Sequence, residues 1–84
     1  MIRIGIIGCG YWGINYVRVF SELPDVTVSR VCDTSDERLL KMHQKFPYVF
    51  PTKLMDELLA DAEVDAVVVA TEASSHYDIT KACL

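Results

Sequence analysis

The chain is poor in positive charge, in cysteine and in long apolar runs. Lys and Arg number 8 against 12 Asp and Glu, for a net charge of −4 over 84 residues. The basic residues are scattered, whereas nucleic acid and anionic membrane select for clustered Lys and Arg, so neither is an expected partner. Cys9, Cys32 and Cys83 form an odd set with neither Cys-x-x-Cys nor Cys/His metal spacing. This argues against disulfides and against a metal site, and fits a reducing cytoplasm. The three thiols read as small buried apolar groups rather than as a redox pair. No apolar stretch approaches the ~20 residues of a membrane span, and the apolar N-terminus is interrupted by glycine and lacks a cleavage-site pattern. At 84 residues the chain makes at most one small domain, burying about 60% of its unfolded surface.

Glycine is scarce too, at 4 residues, and all of it lies between Gly5 and Gly13. Ile2, Ile4, Ile6 and Ile7, with no acid among them, suit a central strand covered on both faces, and helical periodicity follows Gly13. Gly8, Gly10 and Gly13, spaced G-x-G-x-x-G, therefore fall at a strand-to-helix junction. There Gly8 allows a tight turn, Gly10 lets a pyrophosphate reach the backbone, and Gly13 lets the helix pack close to the strand. N–H groups around Tyr11 to Gly13 then face the anion, aided by the helix dipole. Asp33 stands 20 residues beyond Gly13, at the end of the apolar run 26–32, where an acid accepts hydrogen bonds from an adenosine ribose 2′-OH. Together these features predict a dinucleotide site. Asp33 also favours NAD over NADP by repelling a 2′-phosphate; positions 34 and 35 hold no arginine, and Arg38 lies a turn further on. Tyr11 and Trp12 either lie against the cofactor or cover the helix start, and cover is favoured because aromatics mostly bury area.

The rest of the chain alternates between strand and helix patterns. Gly13, Tyr16, Val17 and Phe20 recur at helical spacing up to Pro24. Residues 26–32 form a second strand, and Thr34, Ser35 and Asp36 open a second helix with Leu39, Leu40, His43 and Phe46 facing inward and His43 structural. Residues 48–50 read as a third strand closed by Pro51. Thr52 reads as the cap of a third helix with Leu54, Met55, Leu58, Leu59 and Ala62 apolar and Asp56 and Glu57 solvated. Residues 64–70 form a fourth strand, Thr71 to His76 a polar loop, and Tyr77 starts another helix. The expected architecture is α/β, a Rossmann-type doubly wound parallel sheet of four strands in the order 3-2-1-4.

The whole chain resembles the N-terminal part of the Gfo/Idh/MocA family of NAD(P)-dependent oxidoreductases. The resemblance rests on Gly-Ile-Ile-Gly-Cys-Gly-Tyr-Trp-Gly at 5–13, Val-Cys-Asp at 31–33, Glu-Leu-Leu-Ala at 57–60, and Val-Asp-Ala-Val-Val-Val-Ala-Thr at 64–71 followed by Ser75-His76. It implies that Gly8, Gly10 and Gly13 hold the pyrophosphate and Asp33 the ribose, and that the Thr71 to His76 loop borders the cofactor. His76 then positions the cofactor or caps the next helix rather than acting as a base. Glu72 departs from the family's usual proline after Ala-Thr. The family's catalytic lysine, in a Glu-Lys-Pro motif, and its catalytic histidine belong to segments downstream of Leu84, so no catalytic residue is expected within 1–84. Residues 1–84 would be the first part of a truncated dinucleotide-binding domain, with the substrate domain absent.

Two functions of different class follow. One is the cofactor-binding part of an oxidoreductase moving hydride between nicotinamide and a sugar, cyclitol or nucleotide-sugar substrate. The other is a non-catalytic nucleotide-binding or NAD-sensing module; turnover with the downstream sequence restored separates the two. A methyltransferase using S-adenosylmethionine is disfavoured by Ile6 and Trp12, where such enzymes tend to place an acid and a glycine. The fourth strand would be a sheet edge carrying Val67, Val68 and Val69, and homo-oligomerisation is expected.

Overall fold

Ile2–Ile7 form β1, whose side chains from Ile4 onward are all buried. This computed structural model describes residues 1–70, without the Tyr11 side chain; Thr71, His76, the loop they bound and the helix expected from Tyr77 lie outside the described residues. β1 is the centre of a four-stranded sheet in the order β3-β2-β1-β4, with β2 at Val26–Cys32, β3 at Phe50–Thr52 and β4 at Ala66–Val69. All three pairings are parallel, as crossovers through the intervening helices require. The expected order 3-2-1-4 is the observed one.

Apolar side chains alternate between the sheet's two faces. Ile4, Ile6, Val28 and Val31 pack with Val17 of α1 (Tyr11–Ser21) and with Leu39 and Met42 of α2 (Asp36–Lys45). Ile7 and Cys32 face the other way onto Leu58 of α3 (Met55–Ala60). In β2 both Val28 and Val31 face α1 and α2, which strict alternation forbids. The pairing shows why: it steps from Ile4 opposite Val28 to Gly5 opposite Arg30, leaving Ser29 as an extra residue. A bulge of this kind exchanges the two faces of everything after it.

Four local expectations are corrected. The third strand is Phe50–Thr52, not 48–50. Pro51 lies inside it, which an edge strand tolerates because one side of its backbone has no ladder to lose. Tyr48 instead donates its hydroxyl to Ser21 Oγ at 2.6 Å. On α2 the inward residues are Leu39 and Met42, with Met42 0% and Leu40 59% exposed; Leu39, Met42 and Phe46 make a stripe at i, i+3 and i+7, which turns Leu40 outward. His43 is structural as expected, but exposed rather than inward-facing, with Nδ1 3.1 Å from the Val49 carbonyl oxygen. Thr52 does not cap α3, whose N-cap is Leu54. Its hydroxyl braces the turn before that helix, accepting from the Leu54 N–H at 3.2 Å and donating to the Glu57 carboxylate at 2.6 Å. α3 ends at Ala60, so Ala62 falls outside the apolar stripe. No helix among the described residues is long and apolar enough to cross a membrane.

The reassigned stripe makes a direct test. Met42→Ala should cost about 2–5 kcal/mol through the cavity it leaves, whereas Leu40→Ala should stay within about 0.5 kcal/mol as a surface change. Urea unfolding of the two variants decides, and equal losses would restore the inward placement of Leu40.

Candidate functional site

The carboxyl ends of the strands are laced together, and the site lies above them. Gly8 N–H donates to the Cys32 carbonyl at 2.7 Å, Asp33 N–H to the Thr52 carbonyl at 3.1 Å, and Ala70 N–H to the Ile7 carbonyl at 2.8 Å. In doubly wound sheets, ligands bind in the crevice outside these ends.

The three glycines of the turn stand in different surroundings. Gly8 has φ 99°, a conformation that costs an L side chain roughly 1–2 kcal/mol. A Cβ on Gly13 would lie 1.9 Å from the Gly8 carbonyl oxygen, so α1 can start this close to β1 only with glycine there. Gly10, the N-cap of α1, has φ −71°, open to any residue, and among the described residues its Cβ would meet only the Arg38 guanidinium, at 3.6 Å. Among the described residues, nothing in the packing demands glycine at position 10. What a side chain there would obstruct is the open space in front of the first turn of α1. Helix first-turn N–H groups have no intrahelical acceptor, and Gly10 offers no side chain to cap them.

Asp33 is tied directly to this turn. Its Oδ2 accepts the Cys9 N–H at 2.9 Å and its Oδ1 accepts the Ser35 N–H at 2.8 Å. The carboxylate is thereby oriented, with acceptor capacity left for a ligand hydroxyl. The bulge at Ser29 gives Asp33 the same facing as Val31, toward the glycine turn. Arg38, expected a turn away from this acid, is folded back onto it, with Nη1 3.9 Å from Asp33 Oδ2. It borders a cleft of about 290 Å³ between α1 and α2, lined also by Cys9, Ile14, Lys41, Gln44 and Lys45. Sequence reading noted Arg38 and passed over it; its place at the first turn of the helix that follows the acid was the available signal.

Of the residues singled out by sequence, Gly8, Gly10, Gly13 and Asp33 are brought together. Trp12, at the start of α1, is 65% exposed, so its ring is not the buried cover expected. The Tyr11 side chain, Thr71 and His76 lie outside the described residues. Cys9 and Cys32 are free and buried. The Cys9 thiol is pushed up from 9.0 to about 12, first by burial and then by the Asp33 carboxylate beside it, which also accepts its hydrogen bond. Cys32 is raised as well, by burial and then by Asp33. Both are poor nucleophiles at neutral pH. Among the described residues no group of three or more His, Cys, Asp or Glu could hold a metal ion.

A parallel sheet in the order 3-2-1-4, a glycine turn at the end of its central strand and an oriented acid at the end of the next define a dinucleotide-binding Rossmann domain. The chain belongs to the Gfo/Idh/MocA oxidoreductase family, whose NAD-binding Rossmann-fold model matches residues 2–84. It is 30% identical over 82 residues to a myo-inositol 2-dehydrogenase of Thermotoga maritima, a match covering 98% of this chain and 25% of that protein. Among solved structures it is similar to GenD2 from gentamicin A biosynthesis in complex with NAD, with TM-score 0.90, 30% identity, and coverage of 96% of this chain and 23% of that one. It is also similar to a biliverdin reductase from Synechocystis sp. PCC 6803 in complex with biliverdin and NADP+, with TM-score 0.89, 28% identity, and coverage of 98% and 26%. The chain thus spans about a quarter of the length of these relatives.

Two outcomes follow from the geometry. Gly13→Ala forces apart atoms that nearly coincide and should cost about 3 kcal/mol or more, whereas Gly10→Ala should leave thermal stability within about 0.5 kcal/mol while weakening uptake of a dinucleotide. Melting curves and ligand titration on both variants check this; an unstable Gly10→Ala would make that glycine structural. At pH 8, Cys9 and Cys32 should resist iodoacetamide in the folded protein and react once it is unfolded, as read by peptide mass mapping. Cys9 stabilises the fold fully below pH 9.0, and that contribution should fall as pH rises toward about 12, because the unfolded thiol ionises first.

Proposed function

We propose that residues 1–84 are the cofactor-binding portion of an oxidoreductase that moves hydride between nicotinamide and a carbinol carbon of a sugar, cyclitol or nucleotide-sugar substrate, and that NAD is preferred over NADP. The observation that carries this reading is the Asp33 carboxylate, held 2.9 Å from the Cys9 N–H and so fixed to the glycine turn. The open space at Gly10 suits a pyrophosphate and the remaining lone pairs of Asp33 suit a ribose diol, so the residues present fit the cofactor. The family's NAD-binding model and the NAD complex of GenD2 support it further.

The bound nicotinamide would supply the hydride chemistry, and this chain's residues would place it. First-turn N–H groups of α1 would donate to the diphosphate, with the helix dipole adding about half a positive charge. Gly8 and Gly13 would keep the turn close enough to β1 for those N–H groups to converge, and Gly10 would leave their approach unobstructed. Asp33 would accept from the ribose 2′-OH. The Tyr11 side chain, Trp12, Thr71 and His76 would border the cofactor. Substrate recognition and proton transfer would come from the part of the protein downstream of residue 84.

Discrimination would rest on charge. A 2′-phosphate ~4 Å from the Asp33 carboxylate is disfavoured by about 4 kcal/mol per unit charge pair in an intermediate dielectric, and by less under salt. Calorimetric titration should therefore find NAD bound more tightly than NADP. Asp33→Ser should weaken NAD roughly 10- to 100-fold, the worth of a hydrogen bond to a charged group. Tighter NADP binding by the wild type would overturn the preference. Polyol-dependent reduction of NAD by the whole protein, followed at 340 nm, tests the reaction; cofactor-linked assembly without turnover would point to a sensing module instead.

A further inference from the structure

Helix α1 buries one side and carries a second apolar stripe on another. Val17 is wholly buried and packs on the sheet, whereas Trp12, Tyr16, Val19 and Leu23, at steps of four, three and four residues, share a different face. Their exposures are 65%, 38%, 44% and 44%, so the stripe runs the length of the helix in the open. It extends past Ser21 because the Leu23 N–H donates to the Phe20 carbonyl at 3.1 Å and prolongs the last turn. The Tyr16 ring is already held in place, stacked on Phe20 with 6.2 Å between centroids, and Phe20 packs against the core. Covering that ring therefore costs little side-chain entropy. Arg18 and Glu22 are the charged residues of α1 and its cap; their charges are opposite, so this helix is neutral in a chain of net charge −4. Apolar side chains exposed singly are ordinary, but a contiguous stripe of this kind marks an interaction surface.

We propose that α1 is the contact helix of a reversible homodimer, lying antiparallel against α1 of a second copy along this stripe. The inference is independent of the cofactor reading. What selects a second copy is that the stripe complements itself when reversed. A two-fold axis between Tyr16 and Val19 sets Trp12 opposite Leu23 and Tyr16 opposite Val19. Each of the four levels then joins a large ring to a smaller aliphatic side chain, the combination that fills the space between packed helices. Parallel pairing would set ring against ring and leave a gap at Val19 and Leu23. No charged residue lies in the seam, so the acidity of the chain does not oppose the contact there. The four side chains offer on the order of 400 Å² per copy, within the range of patches that mark interaction sites and about half of what each side of a standard interface buries. The dimer is accordingly a weak one that forms with rising concentration.

Sedimentation velocity of the whole protein between ~1 and ~300 µM tests this. The wild type should pass reversibly from monomer to dimer over that range. Val19→Lys and Tyr16→Glu should each weaken the dimer at least about tenfold, and Val19→Lys should leave the melting temperature of the dilute protein unchanged, because Val19 is exposed. Mixed together, the two variants should form a heterodimer in preference to either homodimer, since the introduced base then meets the introduced acid across the two-fold axis. A dimer that neither variant weakens would overturn the proposal, and so would a mixture with no preference for the heterodimer. A wild type that stays monomeric throughout would overturn it too; if Val19→Lys then lowered the melting temperature, the stripe would be covered by the remainder of the same protein.

Discussion

The contact on which the site depends is the hydrogen bond from the Cys9 N–H to the Asp33 carboxylate. It joins the glycine turn after β1 to the end of β2 and leaves the carboxylate almost wholly buried, with 7% of its side chain exposed. A carboxylate in that position must be satisfied, and the Ser35 N–H completes the task from the other side. The same bond places an acceptor beside the helix start suited to a diphosphate. One interaction thus closes the top of the sheet and sets the distance between the glycine turn and the acid.

Around that contact the strand ends behave as a unit. Backbone hydrogen bonds cross from Gly8 to Cys32, from Asp33 to Thr52 and from Ala70 to Ile7, so the crevice is built on paired backbone rather than on free loops. The two faces below it are unequal, with the larger cluster under α1 and α2 and a smaller one under α3. At the far edge, Arg30 pairs with Asp61 and lies 4.5 Å over the Phe50 ring. That brace holds short β3 against β2, and through β3 it holds the Thr52 carbonyl that receives the Asp33 N–H.

Much of this was legible in the chain. The isoleucine run, the glycine spacing and the acid 20 residues beyond it are local patterns whose meaning does not depend on distant contacts, and the order of the strands follows from crossover handedness. Boundaries read less well. β3 is two residues later than its aromatic residues suggest, because pairing with β2 outweighs β propensity and an edge strand can hold Pro51. The inward face of α2 is off by one position, because Leu40 and Met42 are equally apolar and only the packing chooses Met42. Thr52 is a capping residue by type, yet its hydroxyl serves Leu54 and Glu57 in the turn before the helix.

By itself the sequence determined the fold class, the strand order, the glycine turn and the acid opposite it, since each is written in residue types at short separations. The tertiary structure alone decided where that acid points and what stands beside it. Ser29 is unremarkable as a letter, but as the extra residue between Val28 and Arg30 it reverses the facing of the end of β2 and so turns Asp33 toward Cys9. Arg38 is an ordinary helix-surface arginine in sequence, and α2 returns it to the carboxylate. Both outcomes depend on register and helix rotation, which are settled by the sum of contacts across the sheet and which no single stretch of chain specifies.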